Sequence, residues 1–225
     1  PHLFILTLCL CTLSWGGSTA SAQGFELGKI GVAGGVSLQQ ANDLSTTASF
    51  ENPVGYNVGV FYDQPLDALV GLPTGKLAVR TGAVLRRIGA YQFATMQNDP
   101  QTNELLAGTS FNVYAIDVPL DIRYQYDDLG VLAPYLFVGP QLSVLRAEQD
   151  FESTLNDIVF SANAGLGAEF EIPAAFGLIV APEFLYTLGI TDAVDGDFTY
   201  RFRQINAEPL SFSGLSARVH VYLPF

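Results

Sequence analysis

The sequence predicts an all-β fold, an eight-stranded antiparallel up-and-down transmembrane β-barrel, and three observations support this prediction. In residues 114–126 every second side chain is a large apolar one without interruption, and the positions between them carry the charged residues. This segment exceeds the about 5–6 residues of a usual globular strand and is long enough to cross a bilayer, which takes about 9–11 tilted residues. Hydrophobic residues make up 49% of the chain and charged residues only 14%, well below the roughly 25% charge of soluble domains.

The alternation in residues 114–126 separates two chemically different faces. Successive side chains of a strand point to opposite faces of the sheet, so this segment has one apolar and one polar face. Tyr114 and Tyr126 stand at the two ends of the apolar face, where membrane barrels place their aromatic girdles. The polar face carries Asp117, Asp121 and Arg123.

Three earlier segments alternate in the same way. Residues 30–38 set aliphatic side chains against glycine, alanine and serine. Residues 54–62 set valines and tyrosines against glycine, asparagine and phenylalanine, and residues 77–91 set mainly aliphatic side chains against a face that carries two arginines. These three segments are the first, second and third predicted strands.

Four later segments complete the set. Residues 134–145 oppose aliphatic side chains to aromatic and polar ones, and residues 160–170 oppose apolar side chains to serine, asparagine, glycine and a glutamate. Residues 178–186 and 215–225 repeat the scheme with a glutamate and an arginine on the second face. Eight is an even number, so the strands can close antiparallel, and closure is required because an open edge in hydrocarbon leaves backbone groups unpaired.

Three prolines lie within the predicted strands. Each proline removes one hydrogen bond from a strand ladder. We therefore expect bulges or local distortion at Pro119, Pro140 and Pro182.

The connections alternate in length, which predicts the orientation of the barrel. Outer-membrane barrels have short periplasmic turns and long external loops. Long polar connections occupy residues 39–53, 92–110, 146–158 and 187–213, and the clearest short ones occupy residues 127–130 and 172–176. If the long connections are the external loops, both termini lie on the periplasmic side.

The N-terminal residues have the pattern of a cleavable signal peptide. Residues 3–13 form a short apolar stretch, and Ala20-Ser21-Ala22 follows as a small-residue cleavage motif. We expect residues 1–22 to be the signal peptide and residues 23–225 to be the barrel domain.

Charge and cysteine content exclude several classes of function. The formal net charge is −12, and the chain has only two lysines, Lys29 and Lys76. Nucleic-acid binding requires a basic patch and is therefore disfavoured. The two cysteines, Cys9 and Cys11, lie in the predicted signal peptide, so we expect neither a disulfide framework nor a cysteine metal site.

Four segments carry a resemblance to a known family. They are residues 134–145 (PYLFVGPQLSVL), 163–171 (NAGLGAEFE), 181–189 (APEFLYTLG) and 215–225 (LSARVHVYLPF). With these segments the chain resembles the outer-membrane β-barrel domain family that includes the PorT-like proteins and, more loosely, the small OmpA-type barrels. The resemblance implies location in the outer membrane of a Gram-negative-type bacterium.

The resemblance also implies assembly by the outer-membrane insertion machinery. That machinery reads a final aromatic residue preceded by alternating apolar residues. The positions that match this insertion signal are Val219, Val221, Leu223 and Phe225.

The polar faces of the strands place charges of both signs in the lumen. Eight strands leave an interior that side chains roughly fill. Unpaired buried charges are costly, so we expect an ion-paired polar plug rather than a selective channel. The predicted members of this structural network are Arg80, Arg86, Asp117, Asp121, Arg123, Glu169, Glu183 and Arg218.

A catalytic site finds little support. His220 is the only histidine of the predicted mature chain, and Ser216 shares its face of the last strand. Four residues along a strand separate two side chains by roughly 13 Å at a rise of about 3.3 Å per residue, so these two cannot act as a pair. Ser161 and Ser143 could approach His220 across strands, but no motif marks them.

No metal or cofactor site is predicted either. Asp192, Asp195 and Asp197 have oxygen ligands at a spacing loosely suited to Ca²⁺, but the distal glutamate of a calcium loop is missing. No phosphate-binding glycine loop or zinc-ligand set is found.

The function that these observations favour is that of a small outer-membrane barrel with a structural or surface-interaction role and no catalytic activity. We expect a monomer in outer-membrane lipid, with a plugged lumen and acidic outer loops. Two alternatives stay open. One is an outer-membrane lipid-modifying enzyme, and the other is a soluble lipocalin-like barrel, whose faces would be reversed.

Overall fold

The structure, a computed structural model, describes eleven β-strands and the residues next to them. The described residues are 28–42, 48–51, 54–66, 76–93, 110–126, 132–147, 155–172, 177–194, 198–200, 203–205 and 211–223. Among them no helix is long and apolar enough to cross a membrane.

Eight of the strands are long and three are short. The long strands are β1 (Lys29–Asn42), β3 (Val54–Pro65), β4 (Lys76–Phe93), β5 (Ser110–Gln125), β6 (Leu132–Ala147), β7 (Ile158–Ile172), β8 (Leu178–Gly189) and β11 (Ser211–Leu223). The short strands are β2 (Ala48–Glu51), β9 (Phe198–Tyr200) and β10 (Arg203–Ile205).

The eight long strands form a closed antiparallel barrel in which each strand pairs with its neighbours in the chain. The sheet order runs β4-β3-β1-β11-β8-β7-β6-β5, and an additional β4–β5 pairing closes the ring. The predicted fold class and strand number are thereby confirmed. Of the short strands, β2 pairs with the outer part of β4, and β9 pairs with β10 in the last long connection.

The two faces of the sheet are oriented as the alternation predicts. Apolar side chains at outward positions are half exposed, for example Val60 at 55% and Val138 at 58%. Charged side chains at inward positions are buried, and Arg80 and Asp121 are 0% exposed. A lipocalin-like barrel would have the opposite arrangement, so that alternative is wrong.

The three strand prolines distort the ladders without shifting their register. Two consecutive rows of pairing are missing beside Pro119 toward β4, beside Pro140 toward β5, and beside Pro182 toward β7. The register is the same on both sides of each gap. The expected local distortion is therefore present, but bulges at these positions are not.

The register shift among the paired barrel strands lies in β4, between Arg87 and Gly89. Gly89 has a φ of 146°, a backbone conformation that residues with a side chain rarely adopt. The alternation stops there, because Ile88, Gly89 and Ala90 are all buried. The bulge thus brings apolar side chains to the outer end of the lumen.

Apolar residues close this outer end, which is the end from which the long connections leave. Ile88, Leu145, Val159, Ala193 and Phe212 line one small cavity there and are buried. A bridge between Leu155 and Val194 brings the residues after β8 against those before β7. The lumen therefore has an apolar outer cap above a charged interior.

Candidate functional site

The centre of the lumen is Arg80, an inward residue of β4. Its Nε donates to Asp63 Oδ1 at 2.8 Å, and its Nη1 donates to Glu183 Oε2 at 2.5 Å. The guanidinium also lies 5.9 Å from the ring centre of Phe61 and 5.4 Å from that of Phe137, within the range of cation–π contact. Arg80 thus joins charges from β3 and β8 across the barrel.

Glu183 on β8 is shared between two arginines. Its Oε2 accepts from Arg80 and from the hydroxyl of Tyr135, the latter at 3.1 Å, while its Oε1 accepts from Arg218 on β11. His220 Nε2 lies 3.3 Å from the same Oε1. The side chain of Glu183 is 0% exposed, so the two arginines supply its countercharge.

Arg123 on β5 extends the network toward the end of the barrel that is predicted to face the periplasm. Its Nη1 contacts Asp63 Oδ2 at 2.7 Å, and its Nη2 contacts Glu169 Oε1 at 2.6 Å. Lys29 Nζ lies 2.9 Å from the other oxygen of Glu169. The guanidinium of Arg123 also lies 3.8 Å from the ring centre of Tyr135.

These contacts form one continuous chain of alternating charge, which we call the lumen network. In order, its members are Lys29, Glu169, Arg123, Asp63, Arg80, Glu183 and Arg218. With Tyr135 on β6, all eight barrel strands contribute a side chain. A buried charge costs several kcal/mol to desolvate, and here opposite neighbours offset that cost.

Arg86 and Asp117 form a separate pair nearer the outer end. Arg86 Nε donates to Asp117 Oδ2 at 2.6 Å, and its Nη2 donates to Oδ1 at 3.1 Å, so the pair is bidentate. Arg86 Nη1 also donates to Gln39 at 3.1 Å. Bidentate geometry adds specificity to the pairing of the two side chains.

Asp121 is placed in the lumen but outside the chain of direct contacts. It is opposite Arg80 in the β4–β5 register and is 0% exposed. Neither of its carboxylate oxygens has a hydrogen-bond partner among the residues that the structure describes. The other seven predicted lumen residues each make an ion pair.

The sequence prediction omitted three members of the site. The second predicted strand ends at residue 62, just before Asp63, but β3 continues to Pro65, and Asp63 shares the inward parity of Asn57 and Phe61. Lys29 lies just before the first predicted strand with the inward parity of Gly31. Continuing the alternation past the start of the first predicted strand and past the end of the second would have found Lys29 and Asp63. Nothing in the sequence marks Tyr135 as a partner of Glu183.

Three residues of the predicted insertion signal, Val219, Val221 and Leu223, lie on the last strand. Val219 and Leu223 are exposed on its lipid-facing side, at 47% and 56%, and Val221 shares their face. Phe225 lies outside the described residues.

His220 lies within the lumen and is fully buried. Its Nδ1 is 3.1 Å from the hydroxyl of Tyr222, and its ring packs against Phe61 at 4.6 Å between centres. Ser216, on the same strand, faces the interior as well.

The described residues hold no group of three or more metal-ligating side chains. Of the three loop aspartates, Asp192 is described, whereas Asp195 and Asp197 lie outside the described part of the chain.

The comparisons with known proteins agree with this architecture. A family model described as outer membrane protein beta-barrel domain matches residues 22–195. Among solved structures, OprG from Pseudomonas aeruginosa is similar at 9% identity and a TM-score of 0.51, over 90% of this chain and 98% of that chain. No curated protein sequence matches the chain.

Two further structures are similar at lower scores. The outer membrane protein AlkL has 13% identity and a TM-score of 0.47, over 93% of this chain and 96% of that chain. The outer membrane enzyme PagL has 11% identity and a TM-score of 0.45, over 88% of this chain and 99% of that chain. With its closed barrel and its lipid-facing apolar surface, the chain belongs to the outer membrane protein β-barrel domain family and is located in the outer membrane.

Proposed function

We propose that this protein is a structural or surface-interaction barrel of the outer membrane, with a closed lumen. The observation that carries the proposal is the lumen network, which joins seven of the eight barrel strands through charges of alternating sign, while Tyr135 joins β6 to it through Glu183. A conducting pore needs a continuous aqueous path, and in this interior arginines and carboxylates occupy that path.

Charge distribution supports a role for the outer loops. Among the described residues, the lumen holds four buried arginines and five buried carboxylates, whose charges nearly cancel. Almost all of the net charge of −12 therefore belongs to residues outside the lumen. We propose that the acidic outer loops contact an external partner, while outer-membrane lipid and the insertion machinery are the partners of a monomeric barrel.

A closed lumen predicts that interior side chains are protected from aqueous reagents. In a chain with Cys9 and Cys11 replaced by serine, we expect Ser37→Cys to resist a charged thiol reagent while the barrel is folded, because Ser37 is 1% exposed. Asp157→Cys is the matched control, since the side chain of Asp157 is 79% exposed. The measurement is the rate of modification by mass spectrometry.

The same protein in a planar bilayer is expected to give no steady ionic current. Rapid labelling of Ser37→Cys together with a steady conductance would contradict the closed lumen.

We further infer that the protein has no lipid-modifying activity. The supporting observation is the environment of His220, which is 0% exposed and lies between Tyr222, Phe61 and Glu183. An acyl ester in the membrane cannot reach this imidazole. Among the described residues, the contacts of His220 are with Tyr222, Phe61 and Glu183, and none is with a serine hydroxyl.

The test is to incubate purified wild-type protein and His220→Gln with lipopolysaccharide and to analyse the lipid by mass spectrometry. We expect no released fatty acid in either sample. Release by the wild type that is lost in His220→Gln would instead favour the enzyme alternative.

A further inference from the structure

A cavity of about 70 Å³ opens at the periplasmic mouth of the barrel. Its polar wall consists of Lys29 on β1, Asp63 on β3, Lys76 on β4, and Arg123 and Gln125 on β5. About 10–15 Å³ of such volume is enough for one water molecule, so the cavity is large enough for a small polyatomic ion.

The cavity concentrates cationic groups of an otherwise acidic chain. Lys29 and Lys76 are the only lysines in the sequence, and both line it. Lys29 and Arg123 are balanced by Glu169 and Asp63. Lys76 is exposed, and no carboxylate within the part of the chain that the structure describes pairs with it.

Arg123 has donor capacity that the lumen network does not use. Its Nη1 and Nη2 donate to Asp63 and Gln125, but its buried Nε has no hydrogen-bond acceptor among the described residues. A fixed N–H donor, two ammonium groups and a cavity form an arrangement that suits an oxyanion, since charge-assisted hydrogen bonds to such groups are the strong ones.

We propose that the periplasmic mouth binds one phosphate-type oxyanion through Lys76, Lys29 and Arg123. Two molecules supply a phosphate group of this kind. One is the phosphate of a phospholipid headgroup in the adjacent leaflet, and the other is free phosphate in the periplasm. This anion site goes beyond the proposed structural or surface-interaction role and does not depend on it.

The two lysines make the test direct, because ¹⁵N-lysine labelling of the refolded barrel gives only two backbone amide signals. In one arm, the protein in nonionic detergent is titrated with inorganic phosphate. In the other arm, phosphatidylglycerol is added to the same micelles. We expect a saturable shift of the Lys29 and Lys76 signals in at least one arm, and the arm that responds identifies the source.

Lys76→Gln removes a charge that pairs with no carboxylate among the described residues. The position is exposed, so we expect the fold to be retained and the Lys29 signal to report binding. We expect the affinity for the responding probe to fall about fivefold or more. Arg146→Gln is the matched control, because it removes one partly exposed cation at the outer end of the barrel and should leave the affinity unchanged. Absence of a saturable shift in both arms, or equal weakening by the two substitutions, would overturn the proposal.

Discussion

Replacing Glu183 with leucine is expected to lower the free energy of unfolding by about 3–5 kcal/mol, because it leaves a buried ion network without one of its partners. Glu183 is the shared anion of Arg80 and Arg218, and its side chain is 0% exposed. After the substitution, Arg218 has no carboxylate partner among the described ion pairs, and Arg80 keeps only Asp63. The measurement is urea unfolding of the barrel refolded in lipid vesicles.

The control for Glu183 is a carboxylate of the same charge in an exposed ion pair. Asp157 contacts Arg146 at 3.0 Å, and the two side chains are 79% and 43% exposed. Asp157→Asn should therefore cost less than about 1 kcal/mol. A Glu183→Leu barrel as stable as the wild type would mean that the lumen network does not hold the barrel together.

Replacing Leu166 with arginine is expected to destabilise the barrel by about 2–4 kcal/mol, because it puts a charge on the lipid face near the bilayer midplane. Leu166 is central in β7, and its side chain is 54% exposed on the outer surface. Lipid cannot solvate the guanidinium there. The same unfolding assay in vesicles measures the loss.

The matched control is Ile158→Arg on the same strand and the same face. Ile158 is the first residue of β7 and is 52% exposed. It lies near the external surface of the membrane, where the free-energy cost of an arginine on the lipid face falls to about 0–1 kcal/mol. A large difference between the two variants measures depth in the membrane. Equal, small effects would indicate that this face does not contact lipid.

Much of the barrel could be predicted because side-chain parity in a strand is a local property. Arg80, Arg123 and Glu183 were assigned to the inner face from their immediate neighbours, and the structure buries all three. The same rule failed for Asp63 only because the predicted strand was ended one residue too early. The bulge that buries Ile88 left no comparable signal, since Arg87-Ile88-Gly89 reads as ordinary strand sequence.

The ion pairs themselves could not be predicted. Arg80 and Glu183 are 103 residues apart, and Arg80 and Asp63 are 17 apart, yet both carboxylates contact the same guanidinium. Asp121 is directly opposite Arg80 in the register of β4 and β5, but its oxygens make no hydrogen bond within the described residues. Neighbours on adjacent strands are thus not always partners in the lumen.

The chain alone predicts the number of barrel strands, the face of each that meets lipid, and most of the charges that point inward, because all three follow from the two-residue period of an extended chain. The pairing of these charges depends on the folded barrel. It is there that the seven members of the lumen network form one alternating chain and that Lys76 joins Lys29 at the periplasmic mouth. Closure of the sheet sets which side chains meet across the lumen, and closure depends on the tilt and stagger of all eight strands at once.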